Sequence, residues 1–269
     1  MTPVEHIGMF TTVDALSDPG VFINLMDRVQ DAPDVRAARA DLLARLGLRS
    51  GDAVLDLGCG AGDHTREMAA VVAPEGQAVG VDFSASMIGE ATRRQAASAA
   101  PATFEQGDAQ QLRFETGTFD VCRTERMLCH VPDCRAALRE MVRVVRPGGR
   151  VGVLDFDAAG LFIDHPDRTI TGAFVDTLAI VQNPWMGRSL RRLMSEAGLA
   201  DVEVKPAVLE VGYGVVEPMI TMHGEVLVQS GVAAESVQAW RRELEYANLS
   251  GTFYMGITMF SAVGRKPER

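Results

Sequence analysis

VLDLGCGAGDHT, Val54 to Thr65, runs an apolar segment directly into three alternating glycines and then into helix-forming residues. A short apolar run bounded by glycine reads as a buried strand, here AVLDL over Ala53–Leu57. The residues after the glycines predict a helix from about Asp63 to Val72. Glycines at a strand-to-helix turn let the main chain take conformations that a Cβ opposes, and let a ligand approach it closely.

The same alternation continues downstream. QAVGVD predicts a second strand ending at Asp82, with a helix following through Met87 and Ile88. ATFEQGD reads as the third strand and FDVCRTE as the fourth. Asp133 then caps a helix whose Leu138, Met141, Val142 and Val145 form one apolar face; Pro147-Gly148-Gly149 ends it, and RVGVLDFD is the fifth strand. Repeated strand–helix units predict a parallel sheet with helices on both faces. Upstream, Phe22, Leu25, Met26 and Val29, then Val35, Ala38, Leu42 and Leu46 with Gly47 as a stop, predict two helices.

After Asp157 the pattern loosens. A helix is expected near Thr169–Val181 and another through Leu190, Leu193, Met194 and Ala197, stopped by Gly198. The strand DVEVKPAVLEV follows, then a helical insertion with Val237, Trp240, Leu244 and Ala247 in register, and FYMGITMFSAVG closes as the last strand. With no Pro/Gly/Ser linker, the reading is one domain over residues 1–269. Residues 1–50 are expected to form an N-terminal helical cap, 51–157 the strand–helix core, and 158–186 and 212–250 two insertions.

Composition sets the outer limits. With 47% hydrophobic and 23% charged residues, wholesale disorder is excluded. No apolar run nears the roughly 18 residues of a membrane helix, and MTPVEHIGMF has neither a basic nor an apolar leader region, so a cytoplasmic chain is expected. A net charge of −10 opposes nucleic acid and anionic membranes as partners, although a local basic patch remains compatible with it. Cys59, Cys122, Cys129 and Cys134 lack metal-ligand spacing. They read as reduced packing thiols, the last three leaving a soft-metal site as an alternative, and no metal is expected.

Asp82 follows Asp56 by 26 residues and ends the second strand, where a carboxylate can accept from both hydroxyls of a ribose. Gly107-Asp108 offers a further acceptor at the same edge. A dinucleotide is the competing ligand, but its pyrophosphate wants bare main-chain N–H groups. Asp56 and Asp63, flanking the glycines, would repel it and suit a ligand with ammonium and sulfonium charge. S-adenosylmethionine has that charge pattern.

VLDLGCGAG, GVDFSASMI, QGDAQQLRF, FDVCRTERMLCHVPD and VVRPGGRVGVLD together resemble class I S-adenosylmethionine-dependent methyltransferases, nearest the ubiquinone/menaquinone-type small-molecule branch. The resemblance is close over Gly51 to Asp157 and looser at the C-terminal VGRKP. It implies an α/β, Rossmann-like, seven-stranded sheet, mostly parallel with an antiparallel last strand, and a lid built from the N-terminal helices and the late insertions. It also implies that Gly58 and Gly60, with Asp56 and Cys59 of the same loop, lie at the methionine moiety and Asp82 at the ribose. Phe83 and Met87 would flank the adenine, Asp108 and Ala109 would edge it, and Thr124 and Glu125 would line the floor.

Catalytic candidates are His130, after the fourth strand, and Asp155, ending the fifth. An ordinary histidine, with a pKa of about 6.5, suits a base, and His130 is equally readable as a loop-positioning residue. Asp155 can anchor an acceptor amine or hydroxyl, or bind a turn of backbone. Arg126 reads as a structural ion pair or as a partner for an acidic substrate. His165, His223, Tyr213, Tyr246 and Tyr254 fall in the variable segments, where each alone reads first as packing or surface.

Asn183-Pro184-Trp185 is similar to the signature of nucleic-acid amino-methyltransferases. That signature belongs after the fourth strand, where this chain has Thr124-Glu125-Arg126-Met127, which argues against a nucleobase substrate. Met219, Met222, Met255 and Met259 with Phe156, Phe162, Phe174 and Trp185 could form an adaptable apolar pocket or ordinary core. The expected function is methyl transfer from S-adenosylmethionine to an oxygen or nitrogen of a small molecule, in specialised or quinone-like metabolism. The alternative is a cofactor-binding protein of the same fold that does not methylate. The partner is a small-molecule substrate, and a homodimer is compatible with the chain.

Overall fold

A computed structural model describes residues 13–15, 18–98, 101–178 and 181–268. The first ten residues, read above for a leader, lie outside these, as do residues 179 and 180 of the expected Thr169–Val181 helix. A short 3-10 turn at Val13–Ala15 precedes α1 (Pro19–Gln30) and α2 (Pro33–Leu46). Asp18 starts α1 by accepting the Gly20 N–H at 2.8 Å, and Gly47, in the left-handed region at φ 57°, ends α2.

The core then alternates β1 (Ala53–Leu57), α3 (Asp63–Val72), β2 (Gln77–Asp82), α4 (Ala85–Gln95) and β3 (Ala102–Gln106). It continues with β4 (Phe119–Glu125), α5 (Cys134–Val144) and β5 (Val145–Ile163). The remainder is α6 (Arg168–Leu178), α7 (Met186–Glu196), β6 (Ala200–Glu210), α8 (Tyr213–Gln229), α9 (Ala234–Leu249) and β7 (Met255–Arg265).

Among the described residues seven strands make one sheet in the order β3-β2-β1-β4-β5-β7-β6. Pairings from β3 through β5 are parallel, and β7 runs antiparallel to both β5 and β6. The expected parallel sheet with an antiparallel last strand is therefore present. Strand order reverses between β1 and β4, and at such a switch point the connections leave to opposite faces and open a crevice at the carboxyl ends of the strands.

Both faces are covered. Leu138, Met141, Leu190 and Met194 pack with Leu57, Cys122 and Val153 on one side. Leu42, Leu46, Met68 and Val72 pack with Val54, Val121 and Leu154 on the other. Burial on both faces is why AVLDL reads as a continuous apolar run rather than an alternating one.

Two elements differ from the sequence reading. β5 is longer than RVGVLDFD: it starts as soon as α5 ends, and after an irregularity it resumes with Phe162 opposite Gly256 and Ile163 opposite Met255. Its extension depends on β7, about a hundred residues away in the chain, so no local period announces it. The late insertion holds two helices where the sequence predicts one in register, because α8 is apolar on most sides and contains Pro218. Phe174, Ile220, Leu227 and Trp240 give α6, α8 and α9 their own apolar core beside the sheet. Among the described residues no helix is long and apolar enough to cross a membrane.

Candidate functional site

A cavity of about 450 Å³ opens at the carboxyl ends of β1, β2 and β4. Gly58, Cys59 and Gly60 form one wall, Asp82, Phe83, Asp108 and Ala109 a second, and Glu125, Arg126, Met127 and His130 a third. Val13 and the α1 residues Ile23, Met26, Asp27 and Gln30 cover it. This cover is tied down by charge. Arg94 of α4 bonds Asp27 of α1 at 2.8 Å and Asp63 of α3 at 2.7 Å. The Asp14 carboxylate accepts the Ser84 hydroxyl at 2.6 Å and the Ala85 and Ser86 N–H groups at 2.9 Å. The Ser84 hydroxyl bond, more than the backbone donors, holds the Asp14 pKa down at about 2.

The glycine turn is shaped by its own hydrogen bonds. Gly58 (φ 69°) and Gly60 (φ 54°) both lie in the left-handed region. A Cβ at Gly58 would meet Met127 Cγ at 2.7 Å, whereas one at Gly60 would meet nothing within 4 Å, so the cavity reaches the Gly60 main chain. The Gly58 and Cys59 N–H groups donate to the Val81 carbonyl (2.8 and 3.1 Å), and Gly60 N–H to Asp82 Oδ2 (2.9 Å). Gly62 N–H donates to the Cys59 carbonyl at 3.0 Å. Donors spent in this way do not cradle a pyrophosphate.

That finding replaces the charge argument drawn from the sequence. Asp56 does not reach the cavity: it is fully buried, accepting from Thr65 Oγ1 at 2.7 Å and Arg123 Nε at 2.8 Å. Asp63 is paired with Arg66 and Arg94. Both carboxylates are neutralised by partners, so the spent amides, not repulsion, separate this turn from a dinucleotide loop.

Beneath the cavity lies a buried ladder of charge. Arg123 bridges Asp56 and Glu125, reaching Glu125 Oε2 at 3.0 Å. Arg39 of α2 grips the same carboxylate with Nε and Nη2, both at 2.8 Å. Burial pushes the Glu125 carboxyl up, but the two guanidiniums outweigh it and hold it well below the usual carboxylate range. Thr124, expected in the floor, is buried with Oγ1 donating to the Leu57 carbonyl at 2.8 Å.

The cavity brings together ten of the sequence-predicted residues: Gly58, Cys59, Gly60, Asp82, Phe83, Met87, Asp108, Ala109, Glu125 and His130. Asp82 is the best placed. Its Oδ1 accepts Ser84 N–H and its Oδ2 accepts Gly60 N–H, both at 2.9 Å, and burial raises its pKa despite those donors. Phe83 is 65% exposed beside it, an aromatic face presented to the cavity. Asp56, Thr124 and Asp155 are not cavity residues. Asp155 is buried under the 128–131 turn, accepting Cys129 N–H at 3.2 Å and its neighbour Phe156 N–H at 2.8 Å. Asn183 clamps the same turn from the other side, donating to the Leu128 and Val131 carbonyls at 2.9 and 2.7 Å. The four cysteines are free and buried, and among the described residues no group of three metal-ligating side chains is assembled.

Three side chains that support or line the cavity have no counterpart in the sequence reading. Arg39 and Asp14 bond across long sequence separations that no local pattern signals. His64 lines the cavity from the first turn of α3, its Nδ1 3.2 Å from Glu67 Oε2 and its buried Nε2 without a hydrogen-bond partner among the described residues. The H-x-x-E spacing on a predicted helix was the available signal.

His130 differs from the expected base of ordinary pKa. Burial, helped by the charge of Arg126, lowers it to about 4, so the imidazole is neutral at physiological pH and a weak base. As pH falls from 6.5 towards 4 the unfolded chain binds the proton and the folded one does not, which costs stability. Asp155, raised to about 6 chiefly by burial, has the opposite sign: between 6 and 3.8 the folded chain binds the proton first and gains stability. His130→Asn removes the first effect. Relative to wild type the variant gains about 2–3 kcal/mol between pH 7.5 and 4.5, read from urea unfolding at both pH values. An unchanged difference would mean that the imidazole titrates normally.

Known proteins share this fold and part of this sequence. A methyltransferase-domain family model matches residues 54–149. An uncharacterized 37.1 kDa protein in a transposon of Streptomyces fradiae is 37% identical over 186 residues, 68% of this chain and 54% of that protein, so the chain spans about half of that relative's length. Demethylmenaquinone methyltransferase of Staphylococcus aureus is 31% identical over 196 residues, 65% of this chain and 81% of that enzyme. Phosphoethanolamine N-methyltransferase 2 of Haemonchus contortus, solved with S-adenosyl-L-methionine, shares the fold at a TM-score of 0.61 and 19% identity, over 96% of this chain and 60% of that one.

Proposed function

The chain belongs to the class I S-adenosylmethionine-dependent methyltransferases, and from that premise we propose that it methylates an oxygen or nitrogen of a small organic molecule of quinone-like or specialised metabolism. The observation that supports a small acceptor is the cover: Val13 and α1 close over a cavity of about 450 Å³, within the range of small-molecule sites.

The residues present fit the cofactor. Asp82 would accept from the ribose hydroxyls, with Phe83 and Met87 against the adenine and Asp108 and Ala109 at its edge. The open main chain at Gly60, with Gly58 and Cys59, would pass beside the methionine portion; His64, whose Nδ1 engages Glu67 Oε2, would donate from Nε2 to its carboxylate as an imidazolium. When bound, S-adenosylmethionine supplies a methyl group already activated on sulfonium. The protein's own contribution is then approach geometry and exclusion of water. Neutral His130, held by the turn that Asp155 and Asn183 fix, can accept a hydrogen bond from the acceptor and orient it. Asp56, Thr124 and Asp155 act from beneath, through Arg123, Leu57 and that turn.

Cofactor labelled on the transferred methyl, incubated with the protein and an extract of its source cells, tests this reading. Label is expected in the small-molecule fraction and absent with Asp82→Ala. Label in macromolecules would reassign the acceptor. No label, despite measured cofactor binding, would favour the non-methylating alternative.

A further inference from the structure

Arg126 is the cavity residue that the ladder beneath does not absorb. Glu125, next to it, has Oε1 bonded to Arg39 Nη2 and Oε2 shared by Arg39 Nε and Arg123 Nη1. Arg126 Nε ion-pairs with Glu125 Oε1 at 3.6 Å, a separation beyond hydrogen-bond distance, so its buried N–H has no hydrogen-bond partner among the described residues. The side chain is 13% exposed and faces the cavity. A donor left in that state costs about 1–3 kcal/mol, and more for a charged group.

The backbone is also committed to this placement. Arg126 has φ 53°, the left-handed region that a side chain with a Cβ enters at a cost of about 1–2 kcal/mol. Its N–H is fixed to the Leu154 carbonyl at 2.7 Å. The turn breaks strand alternation directly after β4 and delivers the guanidinium to the cavity beside His130 and Met127. The other arginine lining the cavity, Arg123, is bonded to two carboxylates.

We infer that Arg126 is the docking group for an oxyanion of the methyl acceptor, so that the acceptor class is an organic acid. Guanidinium matches a carboxylate-like group in geometry and charge, and a water-poor site strengthens that contact. Specificity follows as well, because a neutral analogue leaves the buried donor unpaired. The inference rests on the methyltransferase reading: with the cofactor's own carboxylate at His64, Arg126 is left for the acceptor.

The test uses full-length protein saturated with S-adenosylhomocysteine and labelled with ¹⁵N at arginine. Arg126→Gln identifies the Arg126 Nε–H resonance, and Arg126→Lys serves if the glutamine variant fails to fold. Acetate, small enough for any acceptor subsite, is titrated against acetamide. Acetate is expected to move the wild-type Nε–H resonance with a dissociation constant of about 10–100 mM, and acetamide to leave it in place. Calorimetry with S-adenosylhomocysteine is expected to give affinities within about threefold for wild type and the Arg126 variants. No movement with acetate, or equal movement with acetamide, overturns the inference while leaving the enzyme reading intact. A tenfold loss of cofactor affinity in the Arg126 variant overturns it too, by giving the guanidinium to the cofactor. Failure of wild type to bind S-adenosylhomocysteine would instead remove the methyltransferase reading.

Discussion

Arg123→Met is expected to lower the unfolding free energy by about 3–5 kcal/mol, the range for removing one partner of a buried ion pair. The guanidinium is almost fully buried and donates at 2.8 Å to Asp56 and 3.0 Å to Glu125. Methionine fills much of the volume but leaves Asp56 with the Thr65 hydroxyl as its remaining side-chain donor. Glu125 loses less, because Arg39 still grips both of its oxygens. The two losses predict different rescues. Adding Asp56→Asn should recover part of the stability, since no uncompensated charge then remains under β1, while Glu125→Gln should recover little and also release Arg39. Urea unfolding of the singles and doubles reads the couplings. A loss below about 1 kcal/mol for Arg123→Met would mean that water already compensates the two carboxylates.

That ladder marks the boundary of what the sequence discloses. Strand–helix alternation from Ala53 to Asp157 was readable because the helices bury one face and the central strands bury both, so composition carries the period. The ends of α3 were read correctly from the glycine turn and the apolar spacing. The positions of Asp82, Phe83, Asp108 and His130 at strand ends follow from the same alternation, and the cavity does gather them. What could not be read was the direction and partner of each charge. Asp56 sits two residues before Gly58 and looks like a ligand residue, yet its side chain lies on the sheet face covered by α3, where Thr65 and, one strand away, Arg123 bond it. Arg39 and Asp14 are matched to partners 86 and 70 residues on. His130 was given its ordinary pKa because desolvation is a property of the folded chain. The late insertions show the reverse case. Their helices were partly legible, but their apolar face packs on itself rather than over the cavity. Among the described residues it is the N-terminal cap, not these insertions, that lines the site.

Asp82→Ala is expected to weaken S-adenosylhomocysteine binding by about tenfold to several hundredfold. One hydroxyl-to-carboxylate hydrogen bond contributes about 1.5–3 kcal/mol, and every 1.4 kcal/mol is a factor of ten, so a net loss of one such bond gives this range. Part of the loss comes from the protein itself. Asp82 holds Gly60 N–H and Ser84 N–H, both at 2.9 Å, so alanine also frees the glycine turn and the Ser84 N-cap of α4. The 2′-deoxy analogue of the ligand separates the two contributions. If the ribose contact dominates, the analogue binds wild type weakly and loses little more in the variant. If support of the turn dominates, both ligands lose the same factor. A pH dependence follows from the same carboxylate. Burial raises its pKa, so cofactor affinity should begin to fall, as pH is lowered, at a higher pH than an ordinary aspartate would give, and Asp82→Ala should abolish that limb. Affinity within threefold of wild type would remove Asp82 from the ribose and, with it, the placement of the adenine against Phe83.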